Sequence, residues 1–334
     1  MSKKEQIVES FLSKGVLLTP QALEEIEKEP SYVNRQYSEF ILTPSSLQSE
    51  RIITSVSPSS ELSTEDFVSY YRDRYEKLSK IIHNRIKKDF ISINKISGSG
   101  TFYVIAIVKS INRQNNQIDI EDFTGKIKAK IDEKDIESIE VDDVLAFRIS
   151  SSVIQEVYFP DAPLRPPSSG IGRAFFLPEL CISEAPEKEV ESVFRKLENQ
   201  EGIMFIFEKK PDIEKISQLV NKYCKKMKRY VVDISSYPAF PSKGIMSNPL
   251  YIEVNKIKFL LTSSKDVLKK RHIGKIITSS IDSFVLEEIP DIIFSPGPPL
   301  TKNYKSTTLV STGSLLSDPR IIIIDLSSRE ISKL

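Results

Sequence analysis

The sequence PDIIFSPGPPLTKNYKSTTLVSTGSLL, residues 290–316, reads as strand, loop, strand and turn. Ile292, Ile293 and Phe294 make a short apolar run, and neither a strand nor a helix continues through the Pro-Gly-Pro-Pro that follows. β-Branched character resumes at Thr308–Ser311, and Gly313 marks the next turn. A loop that closes a strand at a sheet edge is where α/β folds set their functional side chains. Here that loop carries Gly297, Pro298 and Pro299, and no side chain able to bind a metal. The stretch therefore predicts an enzyme-like scaffold from which the chemistry has gone.

The bulk composition agrees with a folded protein of several parts. A length of 334 residues suits two or three cores, and 40% hydrophobic with 28% charged residues is the balance of a globular chain. The net charge of +1 neither favours nor disfavours nucleic acid, because a basic face can be balanced elsewhere. No apolar run is long enough to span a bilayer, and MSKKEQIVES lacks the apolar core of a signal peptide. Cys181 and Cys224 lie far apart with no Cys-x-x-Cys pair, and read as reduced structural thiols. His83 and His272 are the only histidines, too few for a multi-histidine dimetal site. His83 reads as a helix-surface residue.

Working outward, residues 1–42 read as a helical module. Ile7, Val8, Phe11 and Leu12 recur at helical spacing, and Thr19-Pro20 starts a second helix with Thr19 as its cap. Residues 43–63, rich in Ser, Thr and Pro, read as a flexible linker. Residues 64–158 read as a helix capped by Thr64, followed by five short strands from FISINKI to DVLAFRISSSVIQEVYF. That pattern suits a small OB-fold barrel. Lys109, Arg113, Lys126, Lys128 and Lys130 are candidate nucleic-acid contacts there, with Tyr103 or Phe123 as stacking rings. The alternative is that the lysines merely solvate an outer face. After a Pro-rich connector, residues 159–334 alternate strands (KIITS among them) and helices as an α/β sandwich.

In this order the chain resembles one family, the small subunit of the archaeal family D DNA polymerase, related to the B subunits of eukaryotic replicative polymerases. The resemblance rests on KGVLLTPQALEEI, DFVSYYRDRYEKLSKII, IEDFTGKI, VYFPDAP, SNPLYIEVNKIKFLL, VLKKRHI, IPDIIF, VSTGSLL and IIIIDL, which fall in family order. It implies a multidomain α+β chain with a helical N-terminal domain, an OB barrel and a calcineurin-like phosphoesterase sandwich. Active members carry five metal-binding motifs. At the matching positions this chain offers Glu179 and Cys181, then Glu208, then no Asn-His in DISSYPAF, then Ser263, then Gly297 and Pro299. His272 matches a family histidine that follows a basic pair.

Two metal ions need carboxylate and imidazole ligands from several loops, and that set is missing by type. The sequence thus predicts no catalytic residues, no metal and no cofactor. The expected role is an accessory or scaffolding subunit, cytoplasmic and nucleoid-associated, with no membrane contact. The expected partners are a large catalytic DNA polymerase subunit and single-stranded or primer-template DNA. Two alternatives are a free-standing single-strand DNA-binding or regulatory protein, and a residual metal-dependent phosphodiesterase or 3′-5′ exonuclease.

Overall fold

The protein is described by a computed structural model over residues 3–28, 33, 40–42, 50–57, 61–97, 100–274 and 276–334. Much of the expected linker and of residues 29–39 lies outside the described residues.

Helix α1 (Lys3–Leu12) turns Ile7 and Phe11, one helical turn apart, onto Ala22 and Ile26 of α2 (Pro20–Lys28). Between them β1 (Leu17–Leu18) pairs in parallel with β2 (Ile41–Leu42). The Thr19 hydroxyl accepts from the Ala22 N–H at 3.3 Å, the cap that the sequence predicts.

The expected linker contains a strand. Residues Glu50–Ser55 form β3, which pairs antiparallel with Leu250–Val254 of the C-terminal sandwich. Val56, just after it, is fully buried. The Ser- and Thr-rich surroundings conceal ERIITS, whose β-branched residues supply the strand propensity.

Helix α3 (Thr64–Arg85) is capped by Ser63, one residue earlier than expected. Ser63 and Asp66 close a reciprocal capping box, which an N3 carboxylate makes favourable. Leu78 and Ile82 of α3 pack on Ile105, Ile107 and Ala146 of the barrel.

The barrel closes in the order β4-β5-β6-β8-β7: Thr101–Asn112, Gln117–Glu121, Lys126–Lys130, Val153–Tyr158 and Val144–Ser150. A short helix α4 (Glu133–Ile136) lies between β6 and β7. Alternation puts Val104, Ala106, Val108, Phe147 and Ile149 inside. FISINKI is not a barrel strand: it makes a single bridge at Phe90 and a 3₁₀ turn at Ile93–Lys95. The fifth strand comes instead from DVLAFRISSSVIQEVYF, which Ser151 and Ser152, at φ 49° and 60°, fold into a hairpin.

The C-terminal part is a sandwich of two sheets. One runs β11-β10-β9-β17-β18, from Met227–Asp233, Gly202–Glu208, Arg173–Phe176, Ile322–Asp325 and Ile331–Lys333. The other runs β15-β16-β14-β13-β12-β3, from Leu300–Tyr304, Thr307–Ser311, Ile292–Phe294, Ile257–Leu261 and Leu250–Val254, with β3 at its edge. Phe207 meets Phe294 between the sheets at 4.5 Å, and Phe205 meets Phe259 at 4.7 Å. Helices α5 (Glu187–Arg195) and α6 (Ile213–Tyr223) cover the outer face of the first sheet. The second sheet is covered by Val267, Leu268, Ile273 and Phe284, around α7 (Val267–Lys270). KIITS is expected as a strand; its described residues, 276–279, form none, and Ile276 is buried within that covering segment.

Barrel and sandwich are clamped together. Arg74 of α3 meets Asp282 at 2.5 Å with both side chains sealed from solvent. Asp143 of the barrel receives Lys270 at 3.1 Å and faces His272 Nε2 at 3.2 Å. His272 is thus a packed imidazole at a domain junction.

Candidate functional site

Strands β9, β10 and β11 run parallel, as do β13, β14 and β16, so the residues after each strand gather along one edge of each sheet. Two loops join these edges. After β9, Glu179 N donates to Gly313 O at 3.0 Å and Leu315 N donates to Glu179 O at 2.8 Å. The Thr312 hydroxyl donates to Leu177 O at 2.8 Å. Gly313 cannot be replaced, because a Cβ there would stand 2.2 Å from Asp318 O.

Glu208, the last residue of β10, is 1% exposed and turned inward. Its two carboxylate oxygens accept from Leu180 N at 2.8 Å and Ile182 N at 3.3 Å. Burial pushes its pKa up to about 7 against the pull of these N–H groups, and the neighbouring Glu179 charge adds to the rise. Glu208 therefore anchors the turn after β9. Glu179 is held by Lys209 at 3.1 Å.

Cys181 sits at φ 51° with its Sγ 3.1 Å from Ser314 Oγ. Burial pushes its thiol up, which disfavours the thiolate that nucleophilic attack or metal ligation needs. Ser263 is engaged by Asn248, whose Nδ2 donates to the Ser263 hydroxyl at 2.9 Å. Ser263 N donates back to Asn248 Oδ1 at 3.3 Å. Asn248 is fully buried, and only its place between a loop and a strand, in SNPLY, hinted at it.

The Pro-Gly-Pro-Pro loop folds over this edge. Gly297 O accepts from the Ser311 hydroxyl at 2.6 Å and from Gly313 N at 3.1 Å. Together Glu179, Phe207, Gly297, Pro299, Thr312 and Ser314 line a cavity of about 480 Å³. The structure therefore brings Glu179, Gly297 and Pro299 onto one cavity, with Cys181 against Ser314 beside it. Glu208 lies beneath the same turn, and Ser263 is not among the lining residues. Among the described residues no group of three or more His, Cys, Asp or Glu is placed to hold a metal.

The barrel lysines lie elsewhere. Lys126, Lys128 and Lys130 share the outward face of β6, opposite Glu121, Asp119 and Gln117 of β5. Lys109 pairs with Glu121 at 3.1 Å, and the Arg113 guanidinium donates to Ile139 O at 3.2 Å. Two of the three β6 lysines thus face a carboxylate across the strand pair. Phe123 packs edge-on against Tyr75 and beneath Arg72. Tyr103 is on β4, not beside the β6 lysines: its neighbour on β7 is Arg148.

No family model matches the chain. Among solved structures it is similar to a single mutant of Vps29 from Entamoeba histolytica, at 12% identity and TM-score 0.33, over 48% of this chain and 89% of that one. It is also similar to a novel archaeal phosphodiesterase at 11% identity and TM-score 0.28, over 48% of this chain and 98% of that one. Likenesses this slight leave the fold to be read from the strands themselves. The curated comparison reaches further. The chain is 25% identical over 287 residues, 78% of its length, to the DNA polymerase II small subunit of Thermoplasma acidophilum. It spans 58% of the length of that relative. Over most of its length, then, the chain resembles a DNA polymerase small subunit.

Proposed function

We propose that this chain is a non-catalytic accessory and scaffolding subunit of a replicative DNA polymerase complex, standing between a large catalytic subunit and DNA. The likeness to a polymerase small subunit supports the assembly, and the larger catalytic partner follows from it. The strand order β4-β5-β6-β8-β7 supports an OB-fold barrel. The two-sheet sandwich supports a calcineurin-like phosphoesterase domain without its chemistry. The helical pair at the N-terminus is a separate domain in this reading. No described helix is long and apolar enough to cross a membrane; the reading puts the protein in the cytoplasm, at the nucleoid.

One observation carries the non-catalytic part: the sandwich edge presents prolines, a glycine and an inward-turned Glu208 where metal ligands would be needed. A two-metal centre needs several free carboxylate and imidazole groups converging from different loops. The residues present do not fit one. Glu179 is paired with Lys209, the Cys181 thiol is pushed up and Ser263 is bound to Asn248.

The purified chain is expected not to hydrolyse single-stranded DNA with Mn²⁺, Mg²⁺ or Zn²⁺, and to recover a large polymerase subunit from native extract. Tight calorimetric binding of two Mn²⁺ ions, with activity abolished by Glu179→Ala, would overturn the non-catalytic reading. Recovery of no polymerase subunit would leave a free-standing DNA-binding role.

A further inference from the structure

A second surface of the barrel combines rings and cations in a way that the β6 face does not. Where α3 ends, four rings form a contiguous row. His83 meets Phe90 at 4.9 Å, Phe90 meets Tyr103 at 6.4 Å, and Tyr103 meets Tyr158 at 6.3 Å. The cause is local. α3 covers the outward residues Ile105 and Ala146, then stops at Arg85, so Tyr103, the next outward position on β4, is left half-buried. The bridge between Phe90 and Tyr103 lays the returning chain beside it.

Cations accompany the rings. Lys88 stands 5.3 Å over the Tyr103 ring, and Arg148 is the cross-strand neighbour of Tyr103. Lys87 and Lys88 are both exposed, with Asp89 the adjoining acid. Glu156 is held by Arg148 at 2.6 Å and by the Tyr158 hydroxyl, so its charge is already engaged within the patch. His83 is exposed, and Phe90, Tyr103 and Tyr158 are half-buried.

Proteins that hold single strands without reading sequence pair a cationic track with rings on which bases stack. We infer that the Phe90–Tyr103–Tyr158 row, with Lys88 and Arg148, is a stacking platform for single-stranded nucleic acid. The β6 lysines face carboxylates across the strand pair, as Arg148 faces Glu156 here; what sets this surface apart is its row of rings and Lys88 over Tyr103. The platform gives the DNA-facing half of the proposed function a location, and its binding does not depend on a polymerase partner.

The chain contains no tryptophan and 12 tyrosines, so tyrosine emission can be followed without a tryptophan background, and the Tyr103 variants show how much of its quenching comes from the platform. Oligothymidylate and oligouridylate of about 20 nucleotides, titrated into the full chain at low salt, are expected to quench that emission, with affinity falling as salt rises. Tyr103→Leu, which keeps an apolar side chain at the site, should weaken binding about 10-fold, whereas Tyr103→Phe should retain it. Lys88→Glu, at an exposed position outside the core, should weaken it too. Equal affinity for the two oligonucleotides marks a platform for either backbone; preference for one assigns the platform to DNA or to RNA. Wild-type affinity in Tyr103→Leu, with loss on reversing Lys126, Lys128 and Lys130, would move binding to the β6 face and overturn the inference. Failure of the wild-type chain to bind either probe would also overturn it. The accessory-subunit reading would stand in both cases, since recovery of the polymerase partner tests it separately.

Discussion

Glu208 shows how much a single residue's direction decides. Its type made it a candidate ligand, yet both its oxygens serve the N–H groups of the turn after β9. A carboxyl whose folded pKa stands near 7, above its ordinary 4.5, is favoured in its protonated form by the fold. Between about pH 4.5 and 7 the folded protein keeps a proton that the unfolded chain has released, so stability is highest on the acid side. It is lost as pH rises through that window, by on the order of 3 kcal/mol in total. The urea midpoint should therefore fall between pH 5 and pH 8 in the wild type and fall less in Glu208→Gln; identical pH dependence in both would refute this. The sequence disclosed which residue types stood at this edge. It could not disclose that Glu208 points inward or that Asn248 holds Ser263, because both facts depend on loops brought together by distant strands.

At the scale of the element, α3 is the part that was legible and the part that was not. Its existence and its cap follow from local sequence, to within the shift from Thr64 to Ser63. Its partner does not. The Arg74 guanidinium is sealed against Asp282, Tyr70 and the Gly274 carbonyl, the first and last of which are some 200 residues away. Removing one member of a buried ion pair leaves the other uncompensated, at a cost of about 3–5 kcal/mol. Asp282→Ala should show that loss in urea unfolding. The double variant Arg74→Met, Asp282→Ala should be more stable than Asp282→Ala alone, since no charge is then stranded. A double variant destabilised by the sum of both single effects would mean that the residues act independently.

Over the whole molecule, the feature that composition conceals is the path of the chain. The chain contributes β3 to the sandwich, leaves it to build α3 and the barrel, then returns to complete the sandwich. The sandwich is discontinuous, and its edge depends on Ile53 and Val56 packing beside Tyr251 and Phe284. A fragment of residues 61–334 should thus expose the edge of β12, self-associate and melt below a fragment of residues 50–334. Size-exclusion and thermal denaturation compare the two; equal behaviour would show β3 to be dispensable. Composition misled here because a strand's partner is not a local property.

That early strand sets a timetable for synthesis. Arg51 bonds Glu253, a separation of 202 residues, so at about 5–20 residues per second β3 waits roughly 10–40 s for its partner to be made. The barrel, whose strands all fall within residues 101–158, can form meanwhile. A nascent edge strand left unpaired invites aggregation unless polar neighbours guard it. ERIITS has two isoleucines between a charged pair and a Thr-Ser, and hydroxyl-rich sequence surrounds it. The composition that disguised the strand is suited to keeping it in solution until the rest of its sheet arrives.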